Sequence, residues 1–385
     1  MSSNASKKMF STADAVVIGA GFAGASSAFH LSRLGMGKVV LLEREHSPGL
    51  HASGRNAALA DPLVADGVLA QLAGEGMRFL QEPPAEFGDG RLLARTGTLR
   101  IGTRSDLTAL QTKVLEGQGG LAGKLHEVSP VEAGRLVGVL QEARTEAGLY
   151  CEWGGVADIH ALLRGYVQSF ISRGGELKCH APVVAFRRGS DGTFEIEVAG
   201  GVRFQTRAVI NAAGAWAGEL GRLAGALRMP LTPYRRHLFQ SVRLESVDSR
   251  WPFVWDETNK FYFRPESGGL LLSPCDGTVH PAKEPAEDPA ARSLLAEKLS
   301  ATIPRLAGLK LSRGWACLRT FAPDGRYVIG EDPSLEGFFW AAGLGGSGVL
   351  ASAGVGRLVA ESVVRSEKGV DKMHPLSPAR FLTSG

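Results

Sequence analysis

The stretch Ala15-Val16-Val17-Ile18-Gly19-Ala20-Gly21-Phe22-Ala23-Gly24 decides the fold. Four apolar residues in a row are the pattern of a strand covered on both faces of a parallel sheet. The glycines that follow form a G-x-G-x-x-G turn. Ala25 to Leu34 has helical character and stops at Gly35. Lys38-Val39-Val40-Leu41-Leu42 reads as a second buried strand, ending on Glu43. Strand, glycine turn, helix, strand and acid together predict a Rossmann-like unit that binds a dinucleotide. Gly19 permits the tight turn, Gly21 lets the backbone approach a pyrophosphate, and Gly24 allows close packing of helix on sheet. The helix start, at Phe22 and Ala23, offers free N–H groups and partial positive charge to phosphates. Glu43 is placed to accept hydrogen bonds from ribose hydroxyls, which disfavours a 2′-phosphate.

Outward from that unit, the bulk numbers narrow the class. The chain has 385 residues, 44% hydrophobic and 21% charged, an ordinary globular balance. Its length fits two to three domains at roughly 150 residues each. Glycine is in excess, 50 of 385 against a usual share of about 7%, with no collagen period. The net charge of +4 comes without a run of five basic residues, which argues against a nucleic-acid partner. Cys151, Cys179, Cys275 and Cys317 match no zinc spacing, so no metal is expected, and they read as reduced thiols of a cytoplasmic protein. No apolar run reaches the roughly 18 residues of a membrane span. Peripheral attachment to a membrane stays open, as does the choice of monomer or homodimer.

Other elements follow from periodicity. Helical patterns run over 67–81, 105–118 and 288–303, and Asp158–Ser172 is a helix capped by Asp158. Strands are expected at Thr98–Thr103, Val183–Phe186, Thr193–Val198 and Arg203–Ile210, the last running into Asn211-Ala212-Ala213-Gly214-Ala215-Trp216. Residues 231–243, 253–256, 260–264 and 268–273 read as successive strands of an antiparallel sheet. His280–Pro289 reads as an exposed loop. A last buried strand at 337–343 leads through Leu344-Gly345-Gly346-Ser347-Gly348 into a helix ending near Ser366. The expected class is α/β. A discontinuous dinucleotide domain (13–90, 150–225 and 320–370) carries an inserted antiparallel substrate sheet (91–149 and 226–319). Residues 1–12 and 371–385 are expected to be flexible ends.

The residues after Glu43 separate NAD from FAD. Arg44 to Ala58, with Gly49-Leu50-His51-Ala52-Ser53-Gly54-Arg55-Asn56-Ala57 at its heart, is a loop rich in hydrogen-bond donors where NAD enzymes usually continue with a helix. Here the sequence resembles the flavoprotein family of D-amino-acid oxidases and dehydrogenases, which includes glycine oxidase and sarcosine oxidase. The likeness is greatest to the branch that acts on D-arginine. It covers about residues 13–366, with its specific motifs at 15–58, 207–216, 313–330 and 337–348.

The resemblance implies FAD as cofactor. It implies cofactor contacts at Gly19, Gly21, Phe22, Ala23, Gly24, Glu43, Arg44, His51, Ala52, Ser53, Arg55, Asn56 and Ala57. Further contacts fall at Val183, Ala213, Gly214, Trp216, Arg319, Gly345, Gly346, Ser347 and Gly348. Cys317, two residues before Arg319, matches the cysteine that tethers flavin in the sarcosine-oxidase branch. Arg319, in Trp315-Ala316-Cys317-Leu318-Arg319-Thr320-Phe321, matches the arginine that grips a substrate carboxylate. Tyr262 matches a carboxylate-binding tyrosine and Arg236 a second active-site arginine. Phe253, Trp255 and Gly346 match substrate-pocket positions.

The implied reaction is oxidation of an amino acid, D in configuration, or of a small amine. The electron acceptor is unspecified. Two departures shape the expectation. Gly97 stands where the D-arginine branch has the glutamate that holds a cationic side chain, so Phe253 and Trp255 point to an apolar or aromatic substrate. Ser273 stands where family oxidases have an oxygen-activating lysine, which favours a dehydrogenase. The alternatives are oxidation of a secondary or N-methyl amine, and a flavoprotein subunit active only in a complex.

Overall fold

The computed structural model describes residues 10–117, 119–364 and 373–382. The opening motif lies at the middle of a six-stranded sheet. Its order is Glu176–Lys178, Val39–Leu42, Ala15–Ile18, Ala208–Asn211, Phe338–Ala342 and Val328–Glu331. The first five run parallel, and Val328–Glu331 pairs antiparallel at the edge. Every residue of Ala15–Ile18 and Val39–Leu42 is buried, because both faces are covered. Ala15, Val17, Leu41 and Ile210 pack with Ala28, Leu31, Val355 and Val359 of the helices Phe22–Arg33 and Gly348–Val364. Val16, Val40, Leu42 and Val209 pack with Phe194, Ile196, Val198 and Phe204. Those four come from a second sheet, ordered Ser11–Thr12, Arg203–Thr206, Phe194–Val198 and Val183–Arg188. Runs of unbroken apolar residues are what a doubly covered strand requires.

The large sheet has nine strands. Eight follow the order Thr278–Val279, Thr232–Ser241, Gly269–Ser273, Phe261–Glu266, Phe253–Asp256, Thr98–Gly102, Ala147–Cys151 and Leu125–Val128. Leu311–Phe321 also pairs with Thr232–Ser241. One face buries Leu99, Val254, Phe263, Leu270 and Leu272 against Leu295 and Leu299 of helix Pro289–Thr302. The other face carries Leu238, Tyr262, Leu271 and Cys317 and packs on Ala57 of the loop beyond Glu43. That contact brings the two halves of the molecule together at the cleft.

The expected α/β class with a Rossmann-like domain is present, and four details differ from expectation. The large sheet is mixed rather than antiparallel: Phe253–Asp256 pairs parallel with Thr98–Gly102, since that strand arrives from a distant segment instead of through a hairpin. The expected single strand Arg203–Ile210 is two strands in different sheets, Arg203–Thr206 and Ala208–Asn211. Leu125–Val128, Ala147–Cys151 and the short helix Pro130–Leu136 were not legible as elements, although the helix carries a full Ser129–Glu132 capping box. The expected loose ends are packed where they are described. Ser11 and Thr12 pair with Phe204 and Gln205. Leu376 is fully buried, and its carbonyl accepts from the Ile329 N–H at 2.9 Å. Residues 1–9, 371–372 and 383–385 lie outside the described residues.

Candidate active site

A cavity of about 430 Å³ opens at the C-terminal ends of the parallel strands, where open α/β sheets bind ligands. The glycine turn forms its floor. Gly19 has φ of +101°, and a Cβ there would lie 2.5 Å from the Ala212 carbonyl oxygen. A Cβ on Gly24 would lie 1.8 Å from the Gly19 oxygen. Gly24 therefore packs helix against turn and does not line this cavity, unlike Gly19 and Gly21. Only residues without a Cβ let this turn close under a bound diphosphate.

Glu43 is buried, and both its carboxylate oxygens are anchored. Oε2 accepts from the Ala20 N–H at 2.8 Å and Oε1 from the Glu45 N–H at 3.0 Å. The remaining lone pairs face the cavity that Glu43 lines. Ser53 closes the floor, its Oγ accepting from the Phe22 N–H at 3.0 Å. At the outer end Arg44 lies 3.7 Å over the Trp216 ring, and the His51 ring packs against the same ring, tilted, at 4.7 Å between centroids. Val183, Ala52, Arg55, Ala213 and Gly214 complete the walls, and Cys317 lies at the inner end.

The cleft continues into a smaller cavity of about 120 Å³, lined by Phe22, Ala23, Asn56, Arg319, Gly345, Gly346 and Gly348. The two share Gly21, Ala52, Ser53 and Gly214. Together they form one elongated groove from the acid at Glu43 to the guanidinium of Arg319. A group with a nucleotide at one end and a flat ring at the other fits it.

Arg319 is the decisive charge. It is 7% exposed, on the strand Leu311–Phe321. Among the described residues no carboxylate pairs with it. Its Nη1 reaches only the Cys317 Sγ at 2.8 Å and the Leu318 carbonyl oxygen at 3.5 Å. Burial weighs against its charge, yet the Cys317 sulfur and the Tyr262 oxygen leave it more basic than usual. A buried cation without an acid is costly unless a ligand brings the counter-charge. Gly346 lies against it, since a Cβ there would be 2.9 Å from the Arg319 Cδ. Tyr262 is buried in the field of Arg319 and Arg236, and burial pushes its hydroxyl up to about 12, so it is a neutral donor.

Four further residues expected at the site lie outside the linings of these two cavities. Phe253 is fully buried and lines none of these cavities. Trp255 stacks on Tyr262 at 5.1 Å and backs the site instead of forming its wall. Ala57 is buried under the large sheet, and its carbonyl accepts from the Arg264 Nε at 2.7 Å. Ser347 is exposed and outside both cavities. The expected exposed loop at His280–Pro289 does more than that. Glu284 pairs with Arg55 at 2.5 Å, and Pro285 lines the larger cavity. No sequence signal marks that contact.

A family model described as DAO: FAD dependent oxidoreductase matches residues 14–362. The chain belongs to this family. It is therefore an FAD-dependent oxidoreductase, and the groove has the lining to hold its FAD. The chain is 26% identical over 393 residues to human mitochondrial dimethylglycine dehydrogenase, covering 96% of itself and 44% of that protein. It is also 26% identical to human mitochondrial sarcosine dehydrogenase, covering 98% of itself and 42% of that protein. The chain thus spans less than half the length of these curated relatives. The structure of glycine oxidase from Geobacillus kaustophilus superposes with a TM-score of 0.81 at 23% identity, covering 97% of this chain and 100% of that one. No helix among the described residues is long and apolar enough to cross a membrane, and no cluster there has metal-binding composition.

Proposed function

We propose that the protein oxidises the C–N bond of a small carboxylated amine, either an α-amino acid or an N-alkyl glycine. The carrying observation is the buried, acid-free Arg319 at the flavin end of the groove, beside Tyr262. A guanidinium holds a carboxylate through two parallel hydrogen bonds, fixing both position and rotation. Bound FAD supplies the acceptor for the hydride that leaves the substrate carbon. The protein's part is orientation: Arg319 and the Tyr262 hydroxyl hold the carboxylate so that the C–H faces the groove. The amine must be neutral for the C–N bond to gain double-bond character, and water then hydrolyses the imine to a carbonyl and the free amine.

The similarity to dimethylglycine and sarcosine dehydrogenases favours a secondary or N-methyl amine. The glycine-oxidase likeness is one of fold and leaves a primary amino acid in view. Phe253 shares the sheet face of Trp255 but is fully buried and lines neither cavity, so it adds no support for an apolar side chain. Ser273 supports the dehydrogenase reading: fully buried, it donates to the His237 carbonyl at 2.7 Å and offers no ammonium to oxygen. The family tether at Cys317 is compatible with its place at the cleft. Acid precipitation that leaves flavin on the protein would establish it.

The test is anaerobic mixing of the purified flavoprotein with D- and L-amino acids and N-methyl amines, following loss of the oxidised flavin band. Bleaching by at least one is expected; a panel with no reductant overturns the reading. Arg319→Met is expected to raise KM and lower kcat/KM by about 10- to 100-fold, the worth of one charge-assisted pair. Unchanged kinetics would remove Arg319 from the site.

A further inference from the structure

A third cavity, of about 380 Å³, lies on the same face of the large sheet and is lined by Thr232, Tyr234, Arg236, Gly277, Phe321 and Pro323. Sheet register explains the grouping. Thr232 pairs with Phe321, Tyr234 with Arg319, and Arg236 with Cys317. Paired residues, and residues two apart, share one face. Arg236 and Arg319 are therefore diagonal neighbours on adjacent strands, with Arg319 opening to the flavin groove and Arg236 to this cavity.

Arg236 is held ready for an anion. Its Nε donates to the Asp276 backbone oxygen, which fixes the plane of the guanidinium. The nearby carboxylate that would neutralise it is occupied elsewhere. Asp276 Oδ1 accepts from the His237 N–H at 2.9 Å, and Oδ2 is 2.7 Å from the His237 Nδ1. The other ring nitrogen of His237 accepts from the Asp288 N–H at 2.9 Å, so Nδ1 carries the proton and donates to Asp276. Burial opposes the ionisation of Asp276, but these His237 bonds hold its carboxyl below the usual range. Among the described residues Arg236 has no ion pair, and no acid lines the cavity. The Tyr234 and Phe321 rings, edge to face at 5.8 Å, supply apolar walls.

We infer that this cavity is a second anion subsite and that the preferred substrate carries two carboxylates, one on Arg319 and one on Arg236. The inference rests on the amine-oxidation reading above. The second carboxylate has two sources, the side chain of an amino dicarboxylic acid or an N-carboxyalkyl arm. Two guanidiniums on one face set the substrate along the sheet, and the neutral Tyr262 hydroxyl lies in the field of both.

The experiment compares matched substrates by anaerobic flavin reduction. N-methylglycine is set against iminodiacetate, and D- and L-alanine against D- and L-aspartate and glutamate. At least one dicarboxylate is expected to show kcat/KM 10-fold or more above its monocarboxylate partner. Advantage of iminodiacetate alone assigns the N-arm; advantage of aspartate or glutamate assigns the side chain. In Arg236→Met that ratio is expected to fall to near one, with partial recovery in Arg236→Lys. As a second measurement, wild-type holoenzyme is titrated with malonate, succinate and acetate, reading the perturbation of the flavin spectrum. Tighter binding of a dicarboxylate by 10-fold or more is expected. Equal reduction by mono- and dicarboxylates, or equal binding of acetate and the dicarboxylates, overturns the second subsite and leaves the amine reading standing. No reduction by any compound defeats the amine reading itself.

Discussion

Buried charges at single residues separate function from structure in this protein. Arg319 pairs with no acid among the described residues and faces a groove, so it awaits a ligand. His30 shows the opposite case. Its Nε2 is buried with no partner, and burial first, then the charge of Arg33, lower its pKa from 6.5 to about 4. Arg357 adds in the same direction, while Glu75 pulls the other way but is itself clamped by Arg357 at 2.8 and 2.9 Å. The folded state keeps this imidazole neutral where the unfolded chain would protonate it. Stability is thus unaffected above pH 6.5 and declines as pH falls toward 4, by roughly 3 kcal/mol at the end of that window. Urea midpoints measured from pH 7.5 to 4.5 should fall more steeply for the native protein than for His30→Gln. Parallel slopes would show that other groups carry the acid sensitivity.

At the scale of elements, glycine abundance resolves into two physical jobs. Gly19 serves the groove: its positive φ and the nearby Ala212 carbonyl leave no room for a side chain. Gly19→Ala is expected to yield folded protein with little bound flavin, read as the ratio of absorbance at 450 to 280 nm with far-UV circular dichroism unchanged. Gly76 serves packing. A Cβ there would lie 1.6 Å from the Leu350 carbonyl oxygen, where helix Gly67–Gln81 crosses helix Gly348–Val364. Gly76→Ala should lower stability by about 1–3 kcal/mol through overpacking, seen as a lower Tm with flavin still bound. The first of these glycines was legible because its whole motif lies within thirty residues. The second was not, because a helix crossing is written at two ends of the chain. The Arg236 cavity escaped for the same reason. It exists only through the register of Thr232–Ser241 on Leu311–Phe321, strands about eighty residues apart that no local pattern pairs.

At the scale of the whole molecule, the halves are joined by charge as well as by apolar contact. Arg100, 6% exposed on the strand Thr98–Gly102, binds Asp61 of the segment after the flavin loop and Glu257 of the neighbouring sheet turn, the latter at 2.6 Å. Its guanidinium also lies 4.8 Å from the Trp255 ring, which stacks on Tyr262. This one cation therefore links the loop that holds the cofactor, the large sheet and the base of the active site. Charge complementarity of this kind cannot be read from sequence, since Asp61, Arg100 and Glu257 each look like surface residues in their own segments. Removing the cation alone strands the half-buried Asp61 and leaves Glu257 only the exposed Lys260 at 3.0 Å, which costs up to about 3 kcal/mol. Arg100→Met should therefore unfold at markedly lower urea and release flavin with unfolding. Neutralising all three, as Asp61→Asn, Arg100→Met and Glu257→Gln together, should recover most of that loss because no carboxylate then lacks its guanidinium. If the triple variant is no more stable than Arg100→Met, the ion cluster itself, and not the uncompensated charge, holds the two halves in register.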